Sequence, residues 1–138
     1  MSFRNWYSGK KRLDLSKRSP VVRSLMQKTI VYLRRRAAED PTAQIRPAML
    51  AKAIGENEMI ALTALNILQK AGITKAHIGL YCDATMQWLG EAEPYGSVPE
   101  ILRCDACGEE HDLDSGSMRR EIFFTLDPKA LAEVKEAA

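Results

Sequence analysis

The chain has 138 residues, of which 46% are hydrophobic and 28% charged, a composition that is typical of a soluble globular protein and excludes a wholly disordered one. No apolar run approaches the roughly 20 residues that cross a bilayer, and no apolar segment follows the charged N-terminus, so we predict a cytoplasmic protein without a membrane span or secretory signal. Three cysteines, two of them in a Cys-x-x-Cys, argue against a disulfide framework and for a reducing compartment.

The charge is unevenly distributed. Residues 1–36 contain 11 Lys or Arg and one acid, Asp14, whereas residues 37–138 contain 9 basic and 17 acidic residues. The first part therefore has a net charge of +10 and the rest −8. A basic segment can bind nucleic acid phosphates or the acidic surface of a partner protein, and charge alone does not choose between them. A solvated terminus without a binding role is the third interpretation.

The N-terminal arm, residues 1–18, interleaves aromatic and basic side chains. Such a mixture is suited to stacking on bases or to anchoring in a groove of another protein. Its aromatic residues are Phe3, Trp6 and Tyr7. The candidate nucleic-acid-binding or partner-binding residues in the arm are Arg4, Trp6, Lys10, Lys11 and Arg12.

A first helix is predicted from Pro20 to about Ala38. Ser19 can cap the free amides at its start, and proline is tolerated at the first helical position. Val22, Leu25, Met26, Ile30 and Leu33 recur at helical spacing and predict one packed stripe, with the basic residues largely elsewhere on the helix surface. Arg34, Arg35 and Arg36 lie near the C-terminus, where the helix dipole favours positive charge, so a structural and a binding role are both open.

Two shorter helices follow. An extended piece over 44–46 leads to Pro47, where the second helix begins, and Gly55 ends that helix. Asn57 can cap a third helix that reaches Ala71. The order is helix, short turn, helix, and a strand over 73–81 comes next.

This part of the chain resembles a winged helix-turn-helix domain, with three helices, a short strand between the first two and a hairpin after the third. The phrases IRPAMLAKAIGENEMIALTALNILQKAG and ITKAHIGLYC carry the resemblance. It implies a winged helix-turn-helix domain over residues 19–82. With the segment that follows, the predicted fold class is α+β.

The clearest chemical signal is Cys82, followed 22 residues later by the sequence CDACGEEH, which begins at Cys104. Two thiolates separated by two residues can bind one metal ion, and Gly108 permits the tight turn after Cys107. Cys82, Cys104, Cys107 and His111 then form a Cys3His set, the closed tetrahedral arrangement of a structural zinc site.

This region resembles a zinc ribbon, in which knuckles on neighbouring hairpins share one metal, and it implies a zinc-ribbon-like β-hairpin lobe over residues 82–126. The first knuckle reads CDAT, with Thr85 in place of the second cysteine. The fourth ligand is therefore open: His111 is preferred, His77 is second and Asp83 is a weaker oxygen ligand. Three thiols without a metal are the remaining alternative.

A redox role for Cys-x-x-Cys is disfavoured. That role places the motif at a helix N-terminus, where the first thiol has a lowered pKa. Here the acids Asp105, Glu109, Glu110 and Asp112 surround the motif, and negative charge disfavours a thiolate.

The remaining segments are assigned by composition. Residues 88–99 contain many turn residues and are predicted to be a loop, in which Trp88, Tyr95 and Val98 form a contact surface or pack beside the zinc lobe. Arg120–Leu126 is predicted to be a strand that pairs with one of the hairpins. Asp127 and Pro128 begin a short helix within residues 127–138.

A winged helix followed by a zinc ribbon resembles the arrangement in the archaeal general transcription factor E and in small prokaryotic regulators. The resemblance implies binding of nucleic acid or of a large partner complex. However, Glu56 and Glu58 lie at the start of the third helix, whose one basic residue is Lys70. Phosphate contacts need positive charge at that helix.

We therefore expect a non-enzymatic, zinc-containing adaptor or regulatory protein that binds a partner protein, in the setting of a bacterial regulatory or defence operon. A DNA-binding transcriptional regulator is the alternative, with nucleic acid bound by the arm and the first helix. An enzyme is disfavoured because the sequence has no Ser/His/Asp set, no Gly-rich phosphate loop and no HExxH, and because four protein ligands leave zinc no open position. No small-molecule substrate is indicated.

Overall fold

The computed structural model describes residues 13–92, 101–103, 110–112 and 118–134, which form a mixed α and β structure. The chain divides into two compact units. The first contains the residues up to Lys75 and those from Phe124 onward, and the second contains Ala76–Phe123. The α+β class is confirmed, and the winged-helix identity stays a prediction.

The first unit begins with a 3-10 turn, Leu15–Lys17, and helix α1, Pro20–Glu39. The Ser19 hydroxyl accepts a hydrogen bond from the N–H of Val22 at 3.3 Å, as the N-cap interpretation requires. The predicted helix is confirmed. Its fully buried residues are Met26, Thr29, Ile30 and Leu33.

Helix α2, Pro47–Ile54, and helix α3, Glu58–Lys70, were both predicted from their boundary residues, and both are confirmed. Gly55 ends α2 with φ of 73°, in the left-handed region. The Asn57 side chain accepts a hydrogen bond from the N–H of Ile60 at 2.9 Å and caps α3. In the described part of the chain, none of the helices is both long enough and apolar enough for a bilayer crossing.

Residues from Phe124 onward, which follow the second unit in the chain, complete the core of the first unit. Ile45 and Phe124 form an antiparallel bridge and exchange two backbone hydrogen bonds of 2.8 Å each. Helix α4, Pro128–Ala132, follows, and the Asp127 carboxylate caps it by accepting hydrogen bonds from two backbone amides. The residues with no exposed surface in this core include Ile45, Leu50, Ala61, Ala64, Leu65, Leu68 and Phe124.

Among the described residues, five strands lie wholly or partly in the second unit. Strands β1 (Thr74–Cys82), β2 (Trp88–Ala92) and β5 (Met118–Leu126) form a sheet in the order β2-β1-β5, and β1 and β2 are antiparallel. Strands β3 (Ile101–Arg103) and β4 (Glu110–Asp112) form a separate antiparallel pair. The predicted strands over 73–81 and 120–126 are confirmed, the latter as a neighbour of β1.

The prediction of a loop over residues 88–99 is wrong for its first five residues. Trp88–Ala92 forms β2, in which Gly90 lies opposite Leu80 and Glu91 lies opposite Gly79. The residues that we interpreted as turn formers are held by pairing to an apolar strand, which overrides their local preference. Tyr95 and Val98 lie outside the described residues.

Gly55→Ala tests the end of α2. No atom lies within 4 Å of a Cβ built at Gly55, so the substitution adds left-handed strain without a clash. We expect the free energy of unfolding to fall by about 1 kcal/mol, measured by urea denaturation. Asparagine tolerates the left-handed conformation better than alanine, so Gly55→Asn should lower the free energy of unfolding by less. Equal stability of the alanine variant and the wild type would contradict the prediction.

Candidate functional site

Cys82, the first predicted zinc ligand, ends β1 and is fully buried. A tight turn follows it: the N–H of Met86 donates to the carbonyl of Cys82 at 2.7 Å, and the N–H of Cys82 donates to the carbonyl of Gln87 at 2.9 Å. The hydroxyl of Thr85 accepts a hydrogen bond from the N–H of Gln87 at 3.3 Å. Thr85, which the resemblance places where a ribbon knuckle would have its second cysteine, thus stabilises the turn.

The second knuckle sequence connects two paired strands. Arg103 of β3 lies opposite Glu110 of β4, so residues 104–109 join the strands of an antiparallel hairpin.

The other three predicted ligands are only partly within the described structure. His111 lies in β4, where its backbone is opposite Leu102, and Cys104 and Cys107 lie outside the described residues. Among the described residues, no cluster of three or more His, Cys, Asp or Glu side chains is arranged to hold a metal ion. Because half of the predicted set lies outside those residues, the zinc site stays a prediction.

His77, the second choice for the fourth ligand, lies five residues before Cys82 on β1. Side chains alternate between the two faces of a strand, so this odd spacing places His77 and Cys82 on opposite faces. His77 is also engaged elsewhere: its Nδ1 forms a hydrogen bond with the Glu91 carboxylate, and its ring stacks on Phe123 with 5.0 Å between centroids. Asp83, the weaker alternative, is exposed in the turn after β1. This geometry disfavours His77 as a ligand of the same ion as Cys82.

An aromatic face of the β2-β1-β5 sheet was missed by the sequence interpretation. Trp88 contacts Tyr81 and Phe123 edge to face, with ring centroids 5.4 Å and 6.2 Å away. The Trp88 and Tyr81 rings meet over Gly79, where a Cβ would lie 2.8 Å from each of them. The alternation of His77, Gly79 and Tyr81 was the available signal, because it puts these three residues on one face. Trp88 is 43% exposed, so part of this aromatic face is open to solvent.

Arg34, one of the three predicted binding arginines of α1, has a structural role. Its Nη2 donates hydrogen bonds to the carbonyl of Val134 at 2.6 Å and to that of Leu131 at 3.4 Å. A cation near the free carbonyls at a helix C-terminus is stabilising. The guanidinium of Arg34 therefore holds the end of α4 against α1.

Arg35 and Arg36 differ in their surroundings. The exposed guanidinium of Arg35 lies 5.6 Å from the centre of the Tyr32 ring, a cation–π distance. Arg36 pairs with Glu39 at 3.0 Å, and its Nε is buried without a hydrogen-bond partner among the described residues. Of the three arginines, Arg35 is the most exposed. The candidate binding residues of the arm, Arg4, Trp6, Lys10, Lys11 and Arg12, lie outside the described residues.

The outward surface of α3 is short of positive charge. Met59, Thr63, Asn66 and Lys70 are all exposed and recur at helical spacing along one side, and Met59 is 72% exposed. Glu58 is in the first turn of the helix. This surface offers an apolar and neutral polar stripe with one ammonium group at its far end.

In the comparisons with known proteins, no family model, no curated protein and no solved structure matches this chain. The interpretation of the site therefore depends on its residues and their geometry.

Gly79→Ala tests the packing of the aromatic face. The added methyl group would overlap the Trp88 and Tyr81 rings, so the rings must move and we expect a loss of about 1–3 kcal/mol in the free energy of unfolding. In a Trp6→Phe background, Trp88 is the one remaining tryptophan, and its fluorescence emission should shift. Ile122→Ala, which shortens an exposed side chain, should leave that emission unchanged. An unshifted emission in Gly79→Ala would refute the packing.

Proposed function

We propose that the chain is a non-enzymatic, zinc-containing adaptor or regulatory protein of the winged-helix type that binds a protein partner or complex. The observation that carries this proposal is the outward surface of α3, where exposed Met59 follows the acidic residues Glu56 and Glu58. An exposed methionine on a largely uncharged helix face is suited to apolar contact with another protein.

The same surface is unfavourable for duplex DNA. A helix that reads the major groove meets phosphates and base edges with its N-terminal residues, and much of its affinity comes from neutralised phosphates. Glu56 and Glu58 would repel those phosphates, and Lys70 lies at the opposite end of the helix. These charges favour a protein partner over groove recognition.

Zinc has a structural role in this proposal. Cys82, Cys104, Cys107 and His111 would bind it, and all four belong to the second compact unit. The ion would hold the end of β1 to the hairpin of β3 and β4 within that unit. A site closed by four protein ligands has no position for a reactive water, which is why we propose no catalytic role.

The zinc assignment predicts a difference between the two histidines. Purified wild-type protein should contain one zinc ion per chain by elemental analysis. His111→Ala should lose most of its zinc on dialysis against a weak chelator, as should Cys107→Ser, because a three-ligand site binds more weakly. His77→Ala is the matched control and should retain the zinc. If His111→Ala retained zinc and His77→Ala lost it, His77 and not His111 would be the fourth ligand.

A DNA-binding regulator is the second candidate, favoured by the net charge of +10 on residues 1–36. We expect binding to a random DNA duplex, measured by fluorescence anisotropy, to be undetectable at about 0.15 M salt and present only at low salt. The weak low-salt binding should fall in Arg35→Glu and stay unchanged in Lys70→Glu. Tight binding at moderate salt that Lys70→Glu weakens would instead support groove recognition by α3.

Partner binding can be located directly. A photoreactive amino acid at position 59 should form one discrete cross-linked product in cells that produce the protein. The same group at position 52, an exposed lysine of α2, should not form it. Identical products from both positions would show nonspecific capture and would count against α3 as the interface.

A further inference from the structure

A bulge in β2 brings an exposed aromatic ring and an exposed carboxylate to the same face of the sheet. Trp88 and Glu91 are three residues apart, a spacing that puts two side chains on opposite faces of a regular strand. However, the register of β2 against β1 shifts between Leu80 and Tyr81, and Leu89 is the extra residue. Trp88 therefore shares the aromatic face with Glu91, two strand positions or about 7 Å away.

Both side chains are held in position and both are accessible to solvent. Trp88 packs edge to face against Tyr81 and Phe123, and 43% of its surface is exposed. The Glu91 carboxylate forms a hydrogen bond with Nδ1 of His77, and the Glu91 side chain is 44% exposed. His77 in turn stacks on Phe123. A ring and a carboxylate that are already fixed lose less side-chain entropy when a ligand binds.

The charges of this face and of its unit favour a cation as the ligand. Arg119 and Glu121 of β5 pair at 2.9 Å, so their charges balance, whereas the partner of Glu91 is an imidazole, which is charged only if protonated. Lys75 is four residues along β1 from the position opposite Glu91, a distance of about 13 Å. Residues 76–123 contain 3 basic and 10 acidic residues, a net charge of −7. A positively charged ligand is complementary to this charge.

We propose that the aromatic face binds a basic segment of a partner protein, with an arginine side chain stacked on Trp88 and its guanidinium bound to the Glu91 carboxylate. Tryptophan attracts cations more strongly than the other aromatic side chains do, and a planar guanidinium both stacks on a ring and donates to a carboxylate. The inference goes beyond the proposed function, because α3 belongs to the first unit and this face to the second. A single-stranded nucleic acid also stacks on aromatic rings, but the negative charge would repel its phosphates.

The experiment uses the full chain and a fluorescently labelled heptapeptide in which glycine and arginine alternate. Binding is measured by fluorescence anisotropy at about 0.15 M salt, where distant charges are screened. A peptide with glutamine in place of each arginine is the neutral counterpart, and we expect it to bind about tenfold more weakly. Glu91→Gln and Trp88→Leu should each lower the affinity for the arginine peptide about threefold, the effect of losing one exposed ion pair or one exposed cation–π contact.

Glu133→Gln is the matched control. Glu133 is exposed and follows α4, outside the sheet, so this variant makes the same change of charge away from the aromatic face. It should bind the arginine peptide as tightly as the wild type does. Glu91→Gln keeps the shape of the side chain, so it tests the proposal even if Trp88→Leu fails to fold, and circular dichroism should show the wild-type secondary structure in each variant that is compared.

Four results would overturn the inference. Equal or undetectable binding of the two peptides would mean that the face does not select a cation. Binding of the arginine peptide that is unchanged in Glu91→Gln would place the peptide elsewhere. A single-stranded oligothymidine whose affinity falls in Trp88→Leu would make the face a nucleic-acid site. A wild-type dimer in sedimentation that Glu91→Gln dissociates would mean that a second copy occupies the face. None of these measurements uses the cross-link at position 59, so this inference and the adaptor proposal can fail separately.

Discussion

The two backbone hydrogen bonds between Ile45 and Phe124 determine the closure of the first unit. Both residues are fully buried, so an amide or carbonyl left unpaired at either position would cost about 1–3 kcal/mol. The bridge brings the end of β5 beside the segment between α1 and α2, and it places Asp127 where its N–H donates to the carbonyl of Ile73 at 2.9 Å. Helix α4 can then reach Arg34.

Strand β1 divides the second unit into two chemically distinct sides. Its residues His77, Gly79 and Tyr81 belong to the aromatic face, whereas Leu80 and Cys82 lie on the other face and are fully buried. The alternation of one strand thus separates the thiol that we propose as a zinc ligand from an imidazole that pairs with a carboxylate. Ligand spacing in the sequence leaves both His77 and His111 as candidates. The geometry of β1 argues against His77.

The helices could be predicted from the sequence because their ends carry local signals: Ser19, Gly55 and Asn57 each make the cap that their residue type favours. Strand β2 could not, because its glycine and glutamate are held by pairing with β1. The anchoring of α4 by Arg34 joins residues about 100 positions apart, and no local pattern encodes such a contact. The cysteine spacing was enough to predict a zinc site. The contact of Trp88 with Gly79 could be predicted only by knowing the register between β1 and β2.

The bridge between Ile45 and Phe124 also imposes an order on synthesis. Residue 124 leaves the ribosome 79 residues after residue 45, an interval of about 4–16 s at ordinary elongation rates. Helices α1, α2 and α3 depend on nearby residues and can form during that time. Until β5 arrives, the backbone groups of Ile45 have no strand to pair with, and the nascent chain presents an unpaired edge. The charged surface of α1 lies in the same emerging segment and would keep this intermediate from associating with other nascent chains.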